Sequence, residues 1–292
     1  MPMIRRLTVG QFSESPVLAA ARVLGLDRRH GLDLATVRVP SSPGQFAALR
    51  DGDIDVAITS PDNVLLYATT DRNPLGTQLP IRMVRAIDRG LGLALLTRPT
   101  ITTVGELQEA SLAVDVVRSG FALLLFTMLD RLGVDREGMA FAELGSTPKR
   151  LTALLDGDTD GSILNAESRV AALSAGMRPW ITSADVAPNY LGTVLAVTAG
   201  FDPDTVDALT HLWDESTQWL LSQPSAEVAE LLAQSDAALA SPEYVDLIRD
   251  PAFGLLADPT IEPADLQVLA AIRSACGAYA PDDSMLAALV GR

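Results

Sequence analysis

The chain has 292 residues, about twice the usual size of a single domain, and its 48% hydrophobic and 20% charged composition supports a packed core and excludes a disordered chain. The sequence contains 22 Lys and Arg residues and 37 Asp and Glu residues, which gives a net charge of −15. This charge disfavours nucleic acids and anionic membrane surfaces as partners. One cysteine and two histidines exclude an intrachain disulfide and leave too few ligands for a zinc cluster, so we expect no metal and no cofactor.

The first residues do not resemble a secretory signal peptide. Arg5 and Arg6 precede a short apolar stretch, Leu7–Gly10, whereas an exported leader contains about 7–15 apolar residues. The longest apolar run, Phe121–Leu129, is well below the roughly 20 residues that cross a bilayer, so we expect no membrane insertion. The sequence as it stands predicts a cytoplasmic protein, or a periplasmic or extracellular one if a leader has been removed.

An internal repeat is the strongest signal in the sequence. Residues 41–58 read SSPGQFAALRDGDIDVAI, and residues 146–163 read STPKRLTALLDGDTDGSI. The offset is 105 residues, and nine of the eighteen positions are identical. Two similar units joined in one chain are therefore expected.

Each copy of the repeat belongs to a predicted β-α-β-α-β unit. A serine or threonine before a proline is typical of an N-cap with proline at the first helical position, and a glycine ends a helix as a left-handed C-cap. The first unit is predicted as strand Leu7–Gly10, helix Pro16–Leu24, strand Asp33–Arg38, helix Pro43–Gly52 and strand Val56–Thr59. The second is predicted as strand Ser111–Val114, helix Gly120–Leu132, strand Ala140–Leu144, helix Pro148–Gly157 and strand Ser162–Leu164.

The remaining elements connect and cover these units. Two apolar segments, Ile81–Pro99 and Leu191–Ala199, are predicted to cross between the lobes. Three amphipathic helices follow, and we expect this tail to fold back onto the first lobe; they are Pro203–Gln223, Ser225–Leu239 and Pro263–Ala280. The predicted fold is an α/β clamshell of two lobes, each a mostly parallel sheet flanked by helices. Residues 1–88 with 196–292 form lobe I, and residues 89–195 form lobe II.

A ligand is expected at the carboxyl ends of the strands, where loops of both lobes face each other. Free N–H groups and helix dipoles at these loops favour an anion. Arg118 lies just before a predicted helix, and its guanidinium is a candidate clamp for a carboxylate, sulfonate or phosphate. The candidate ligand-binding residues are Gln11, Phe12, Ser13, Ser15, Ser41, Ser42, Thr59, Ser60, Asn63, Arg118, Ser119, Gly120, Phe121, Ser146, Thr147, Asn165 and Tyr190.

Several of these residues have a second interpretation. The hydroxyls before Pro43 and Pro148 act as helix caps whether or not a ligand binds. Arg118 is also compatible with a surface ion pair, Asn165 with a turn, and Tyr190 with core packing. These alternatives are open at the level of sequence.

The chain resembles the type 2 periplasmic-binding-protein superfamily, and within it the solute receptors for sulfonates, taurine, nitrate and thiamine-pyrimidine precursors. The resemblance runs from about Arg6 to the helical tail. It implies a hinged protein that closes over one small molecule, with an ABC permease as partner only if the chain is exported. The stretches that carry it are TVGQFSESPVLAAARVLGL, RRHGLDLATVRVPSS, ALRDGDIDVAITSPDN, VDVVRSGFALLL and GSTPKRLTALLDGDTDGSILNAE.

Two functions are compatible with this sequence. The first is a binding protein that closes over a small organic anion, namely a sulfonate, carboxylate or heteroaromatic acid. The second is a cytoplasmic enzyme of lyase, decarboxylase or hydrolase type on the same scaffold, with Arg118 as anion clamp and a cleft carboxylate as acid or base. The candidate carboxylates are Glu14, Asp62, Asp115, Glu143 and Glu167.

Overall fold

The computed structural model describes residues 4–290, which form two five-stranded sheets flanked by helices. Among these residues, no helix combines the length and apolar composition that a membrane span needs. The strands are β1 Arg5–Gln11, β2 Leu32–Arg38, β3 Val56–Thr59, β4 Ile81–Asp88, β5 Ala94–Thr97, β6 Leu112–Val114, β7 Phe141–Glu143, β8 Gly161–Leu164, β9 Arg178–Thr182 and β10 Thr193–Thr198. The helices are α1 Pro16–Val23, α2 Leu26–Arg29, α3 Ser42–Asp51, α4 Pro61–Thr69, α5 Val104–Gln108, α6 Gly120–Leu132, α7 Thr147–Asp156, α8 Ala166–Ser174, α9 Ser183–Val186, α10 Pro203–Ser222, α11 Ser225–Ala233, α12 Pro242–Arg249, α13 Pro263–Ala275 and α14 Asp283–Ala288.

The two sheets have the same topology. Their strand orders are β2-β1-β3-β10-β4 and β7-β6-β8-β5-β9. In each sheet three neighbouring strands are parallel, and the fourth strand in the order is antiparallel to both of its neighbours. The prediction of a two-lobed α/β fold is confirmed, but both sheets are mixed rather than mostly parallel, because two of the four neighbouring strand pairs in each sheet are antiparallel.

The repeated helices begin one residue earlier than predicted. Ser41 and Ser146, not Ser42 and Thr147, are the N-cap residues of α3 and α7, and the prolines lie within the first turn. Proline fits there because the first N–H groups of a helix have no partner inside the helix. Both helices end as predicted at a glycine in the left-handed conformation, Gly52 with φ +79° and Gly157 with φ +81°.

The chain crosses between the sheets twice. The chain passes from the first sheet to the second between β4 and β5, and it returns to the first sheet between β9 and β10. Both crossings fall in or beside the predicted apolar segments. β10 pairs with strands of the first sheet along its whole length, Thr193–Thr198. The predicted boundary between lobe II and lobe I, which lies between residues 195 and 196, therefore falls inside this strand. The lobe boundaries themselves stay a prediction.

The helical tail contacts both lobes, which corrects the expectation that it covers the first lobe alone. α10 and α11 pack on α1, but α12 packs against α8 and α13 packs against α6 of the second lobe. A buried ion pair fixes α13, because Arg273 Nη1 lies 2.7 Å from Asp62 Oδ2 at the start of α4. One buried apolar cluster accordingly contains side chains of both sheets and of α13.

Candidate functional site

A cavity of about 180 Å³ lies between the lobes, where the strand-end loops of the two sheets meet. The loops after β1, β2 and β3 line it from the first lobe, and those after β6, β7 and β8 line it from the second. Apolar side chains at the hinge, including Ile87, Leu91 and Leu255, complete the wall. The sequence therefore predicts the location of the cleft correctly.

Most of the predicted ligand-binding residues line this cavity. From the first lobe they are Phe12, Ser13, Ser15, Ser41, Ser42, Thr59, Ser60 and Asn63. From the second lobe they are Ser119, Gly120, Phe121, Ser146, Thr147 and Asn165. Their contact with a ligand stays a prediction.

Cap residues differ between the two walls. In the first lobe, Ser15 and Ser41 each use their hydroxyl to accept a backbone N–H of the following helix, at 3.4 and 3.3 Å, and Ser60 does the same at 3.2 Å. In the second lobe, Ser119 caps α6 in the same way at 3.1 Å, but Ser146 and Asn165 occupy N-cap positions without a side-chain cap hydrogen bond. Their polar groups are thus available to a molecule in the cleft.

Arg150 on α7 is the cation that faces the cavity. Its side chain is 1% exposed and lines the wall. Nη2 donates to the hydroxyl of Thr147 at 3.1 Å and to the carbonyl of Ile163 at 3.2 Å, and Nη1 donates to the carbonyl of Gly145. Nε has no hydrogen-bond partner, and the guanidinium forms no ion pair within residues 4–290.

Such a buried cation is energetically costly unless an anion accompanies it. Burial lowers the pKa of the Arg150 guanidinium, while the negative charge of Asp115 acts in the opposite direction. An arginine nevertheless stays protonated at neutral pH. The site thus holds a positive charge whose Nε donor has no hydrogen-bond partner among residues 4–290.

Sequence reasoning missed Arg150, although the repeat contains a signal for it. Arg150 corresponds to Gln45 at the 105-residue offset. Both side chains are buried, and both donate to equivalent carbonyls, Ile163 for Arg150 and Ile58 for Gln45. The periodicity of α7 places Arg150 on the same face as its buried Ala153 and Leu154, so a charge on an apolar face was visible in the sequence.

Three predicted ligand residues lie outside the cavity wall. Arg118 is exposed in the turn before α6, because adjacency to a helix start does not fix the direction of a loop side chain. Gln11 is buried and holds its own loop: its Nε2 donates to Glu14 at 2.9 Å and its Oε1 accepts the Ser15 N–H at 3.1 Å. Tyr190 is 2% exposed and packs in the core, as its alternative interpretation had it.

Of the predicted carboxylates, Glu14 and Asp115 line the cavity. Asp115 accepts the hydroxyl of Ser119. Glu143 is exposed and accepts the backbone N–H of Val117 at 2.6 Å, so it holds a turn outside the cleft.

Of the other two predicted carboxylates, Asp62 is buried and Glu167 is half-buried, and neither lines the cavity. Asp62 is paired with Arg273; burial raises its pKa, and the arginine acts in the opposite direction. Asp62 also explains why position 120 is a glycine, because the Cβ of any other residue there would lie 2.6 Å from the Cβ of Asp62. Burial likewise raises the pKa of Glu167, whose Oε2 has no hydrogen-bond partner among residues 4–290.

A further carboxylate, Asp88, was not predicted. It ends β4 at the hinge, is 2% exposed and lines the cavity. Its Oδ1 accepts the Gly90 N–H at 2.7 Å, and burial raises its pKa to about 6. The sequence offered no sign of this, because Asp88 belongs to a segment that has no counterpart motif in the other lobe.

Backbone strain concentrates at the hinge. Leu91 and Ala166 have positive φ angles of 47° and 48°, which non-glycine residues rarely adopt, and both line the cavity. The N–H of Ala166 donates to the carbonyl of Leu91 at 2.8 Å, linking the hinge to the start of α8. No group of three or more potential metal ligands occurs among residues 4–290.

This architecture, two sheets of equal topology around a cleft, is that of a type 2 periplasmic binding protein, and the resemblance seen in the sequence is confirmed. Residues 6–235 match the NMT1-like family model, so the chain belongs to that family. No curated protein matches the chain significantly.

Solved structures with low sequence identity have the same fold. The alkanesulfonate-binding protein SsuA from Xanthomonas axonopodis pv. citri, bound to MOPS, is 17% identical with a TM-score of 0.76, and the match covers 100% of both chains. SsuA from Escherichia coli, a periplasmic aliphatic sulphonate binding protein, is 16% identical with a TM-score of 0.72, covering 99% of this chain and 92% of that one. The periplasmic nitrate-binding protein NrtA from Synechocystis PCC 6803 is 11% identical with a TM-score of 0.81, covering 99% and 86%.

Proposed function

We propose that this chain is a solute-binding protein whose lobes enclose one small organic anion, with Arg150 binding the anionic group. The observation that carries the proposal is the buried guanidinium in the cavity wall, which has a free Nε donor and no carboxylate partner among the described residues. An anion in the cleft would compensate its charge. Membership of the NMT1-like family supports the same function.

The surrounding groups suit a sulfonate, a carboxylate or a heteroaromatic acid. Ser146 and Asn165 have uncommitted side chains at the starts of α7 and α8, where the helix dipoles favour negative charge. A guanidinium N–H donates a short, charge-assisted hydrogen bond to a carboxylate or sulfonate oxygen. Phe12, Ile58 and Phe121 offer apolar surface to the rest of the molecule.

Transport is the context that the similar structures favour. The Escherichia coli and Synechocystis proteins are described as periplasmic, and they bind an aliphatic sulphonate and nitrate, respectively. By this similarity we infer a periplasmic location and delivery of the ligand to an ABC permease. The prediction of a cytoplasmic protein finds no support in these relatives.

A thermal-shift screen of alkanesulfonates, carboxylates and heteroaromatic acids, followed by isothermal titration calorimetry of each hit, tests the proposal. We expect at least one compound to bind with one molecule per chain and to raise the melting temperature, because a ligand that binds only the native state stabilises it. Mass spectrometry of the recovered compound separates binding from catalysis. A compound returned unchanged supports the receptor, and a converted compound supports the enzyme alternative. Absence of binding across all three anion classes contradicts the proposal.

A further inference from the structure

The last segment of the chain, residues 254–290, is anchored to the first lobe on both sides of α13. β4 is an edge strand of the first sheet. Before α13, the Ala86 N–H of β4 donates to the carbonyl of Pro259 at 2.9 Å. After α14, the Met83 N–H of the same strand donates to the carbonyl of Leu289 at 2.8 Å. Both ends of the segment are therefore fixed to one strand of the first lobe.

The middle of this segment lies on the second lobe. α13 packs against α6, and one buried apolar cluster contains Leu266 and Leu269 of α13 together with Leu123 and Leu124 of α6. Cys276, the C-cap residue of α13, has its Sγ 3.5 Å from the carbonyl oxygen of Leu123. α13 therefore connects the lobes independently of the two crossings of the chain.

Helices of both lobes meet α13 at the ion pair of Asp62 and Arg273. Asp62 lies in the first turn of α4 and Arg273 lies on α13, and each side chain is 4% exposed. Gly120, the first residue of α6, lies directly against the carboxylate, because a Cβ there would be 2.8 Å from Asp62 Oδ2. A rotation of the second lobe that moves Gly120 away from Asp62 would expose this ion pair to water.

These contacts restrict the opening of the cleft. Lobes of one chain move relative to each other by default, unless a large apolar interface joins them. Opening this cleft has to separate α6 from α13 or release the segment from β4. The first contact buries apolar side chains, and the second consists of backbone hydrogen bonds. Both stabilise the associated lobes without any contribution from a ligand.

We propose that residues 254–290 form a strap that holds the two lobes together in the ligand-free protein, so that the cleft exists before a ligand binds. The match to the NMT1-like family model ends at residue 235, and the strap lies beyond it. The inference concerns the empty protein and is independent of which molecule the cleft binds. Its failure would leave the proposed function standing.

Small-angle X-ray scattering of the empty protein tests the strap. Dialysis in urea followed by refolding first removes any bound small molecule. We expect the scattering curve of the wild type to match the curve calculated from this structure. In Gly120→Ala the added methyl group collides with Asp62, so α6 has to move and the radius of gyration should increase.

Gly105→Ala is the matched control for this substitution. Gly105 also lies in the first turn of a helix of the second lobe, α5, but a Cβ there would lie 4.0 Å from Thr103 Oγ1, which is an ordinary contact. The scattering curve of Gly105→Ala should therefore be that of the wild type.

The single cysteine of the chain reports on the same contact. Cys276 is half-buried against α6, so separation of α6 from α13 exposes its thiol. We expect an aromatic disulfide reagent to modify Cys276 roughly tenfold faster, or more, in Gly120→Ala than in the wild type, because local opening becomes easier. Gly105→Ala should react at the wild-type rate.

The ion pair provides a second route to the same test. Arg273→Met leaves the Asp62 carboxylate without its partner, and water reaches that carboxylate only if α6 moves away. This variant should therefore show the scattering and thiol reactivity of Gly120→Ala. Asp62→Asn combined with Arg273→Met removes both charges and should restore the wild-type values.

Cooperative urea unfolding of each variant establishes that it is folded, and Arg273→Met carries the test if Gly120→Ala does not fold. An extended scattering envelope for the empty wild type overturns the strap. Wild-type scattering and thiol reactivity in folded Gly120→Ala overturn it as well.

Discussion

The two copies of the repeat place different side chains at the same point of the same scaffold. Gln45 in the first copy is 0% exposed and donates to the carbonyls of Gly10 and Ile58, each at 3.0 Å. Arg150 in the second copy lines the cavity and donates to the Ile163 carbonyl at 3.2 Å, and its Nε has no hydrogen-bond partner among residues 4–290. The amide bridges two backbone carbonyls without adding charge, although its Oε1 has no hydrogen-bond partner among residues 4–290, whereas the guanidinium adds a positive charge at the same point.

This difference indicates where function was added to the duplicated unit. The strand order, the N-cap serines and the left-handed glycine ends are the same in both copies. The second copy alone combines a buried cation with cap residues, Ser146 and Asn165, that make no cap hydrogen bond. The proposed function therefore assigns anion recognition mainly to the second lobe.

Replacing the neutral amide of Gln45 with the charged side chain of arginine should have the largest effect of the substitutions considered, and this effect is on stability. Gln45 does not line the cavity, so Gln45→Arg would bury a guanidinium without access to a ligand. We expect the free energy of unfolding to fall by about 3–5 kcal/mol, the cost of an uncompensated buried charge. Urea denaturation measures it, with the exposed Gln234→Arg as a control that should change little. Equal stability of Gln45→Arg and wild type would break the comparison between the copies.

The converse exchange should affect binding instead of folding. Arg150→Gln introduces the residue that the first copy uses at this position, so the hydrogen bond to the Ile163 carbonyl can persist. We expect affinity for any anion found in the screen to fall roughly 30-fold or more, about 2 kcal/mol or above, as for loss of a buried charged contact. The free energy of unfolding without ligand should not fall.

Arg118→Gln is the matched control for that exchange, because it removes the same charge from an exposed turn outside the cavity. Its affinity should remain within about twofold of wild type, as expected for a screened surface charge. A larger loss in Arg118→Gln than in Arg150→Gln would reverse the assignment of the anion site.

Asp88 is a second buried charged group in the cavity wall, and its ionisation should affect the stability of the fold. Its pKa is about 6 in the native protein against 3.8 as the ordinary value, so its ionisation destabilises the fold as the pH rises from about 4 through 6. Asp88→Asn should raise the free energy of unfolding by up to about 3 kcal/mol at pH 8. The difference should disappear at about pH 2.5, below both pKa values, where the carboxyl is protonated in the native and in the unfolded state. Urea denaturation at the two pH values measures it, and a pH-independent difference contradicts the account.

Substitution of the glycine that ends the repeated helix should have the smallest effect on stability, and the effect should be the same in the two copies. Gly52 and Gly157 both adopt φ near +80°, and the space around them would admit a methyl group. Gly52→Ala and Gly157→Ala should each lower the free energy of unfolding by about 1–2 kcal/mol, the cost of a left-handed alanine. Thermal melts of the two variants should agree within about 0.5 kcal/mol. Unequal losses would show that the copies differ in their scaffold as well as in their cleft.

The repeat made most of the fold predictable from the sequence. The predicted strand Val56–Thr59 and helix Gly120–Leu132 have the bounds of β3 and α6, because caps and apolar periodicity are local signals. The one-residue error at α3 and α7 arose because Ser-Ser-Pro and Ser-Thr-Pro each offer two cap residues. The contact of α13 with α6 was not predictable, since it depends on how amphipathic faces meet in three dimensions.

The site was predictable as a place but not as chemistry. Strand-end loops identified the cavity wall, because topology brings the carboxyl ends of parallel strands together. Arg118 was chosen for its position beside a helix start, which does not determine where a loop side chain points. Arg150 gains its significance from a buried Nε without a hydrogen-bond partner, and Asp88 from burial without an ion pair among residues 4–290, and only coordinates reveal either property.

A crystal structure of the protein with a compound from the screen tests the central claim most directly. We expect an oxygen of the anionic group to lie about 3 Å from Nε of Arg150, with the rest of the molecule between the lobes. A ligand bound in the cleft whose anionic group lies away from Arg150, or one that binds outside the cleft, would contradict it.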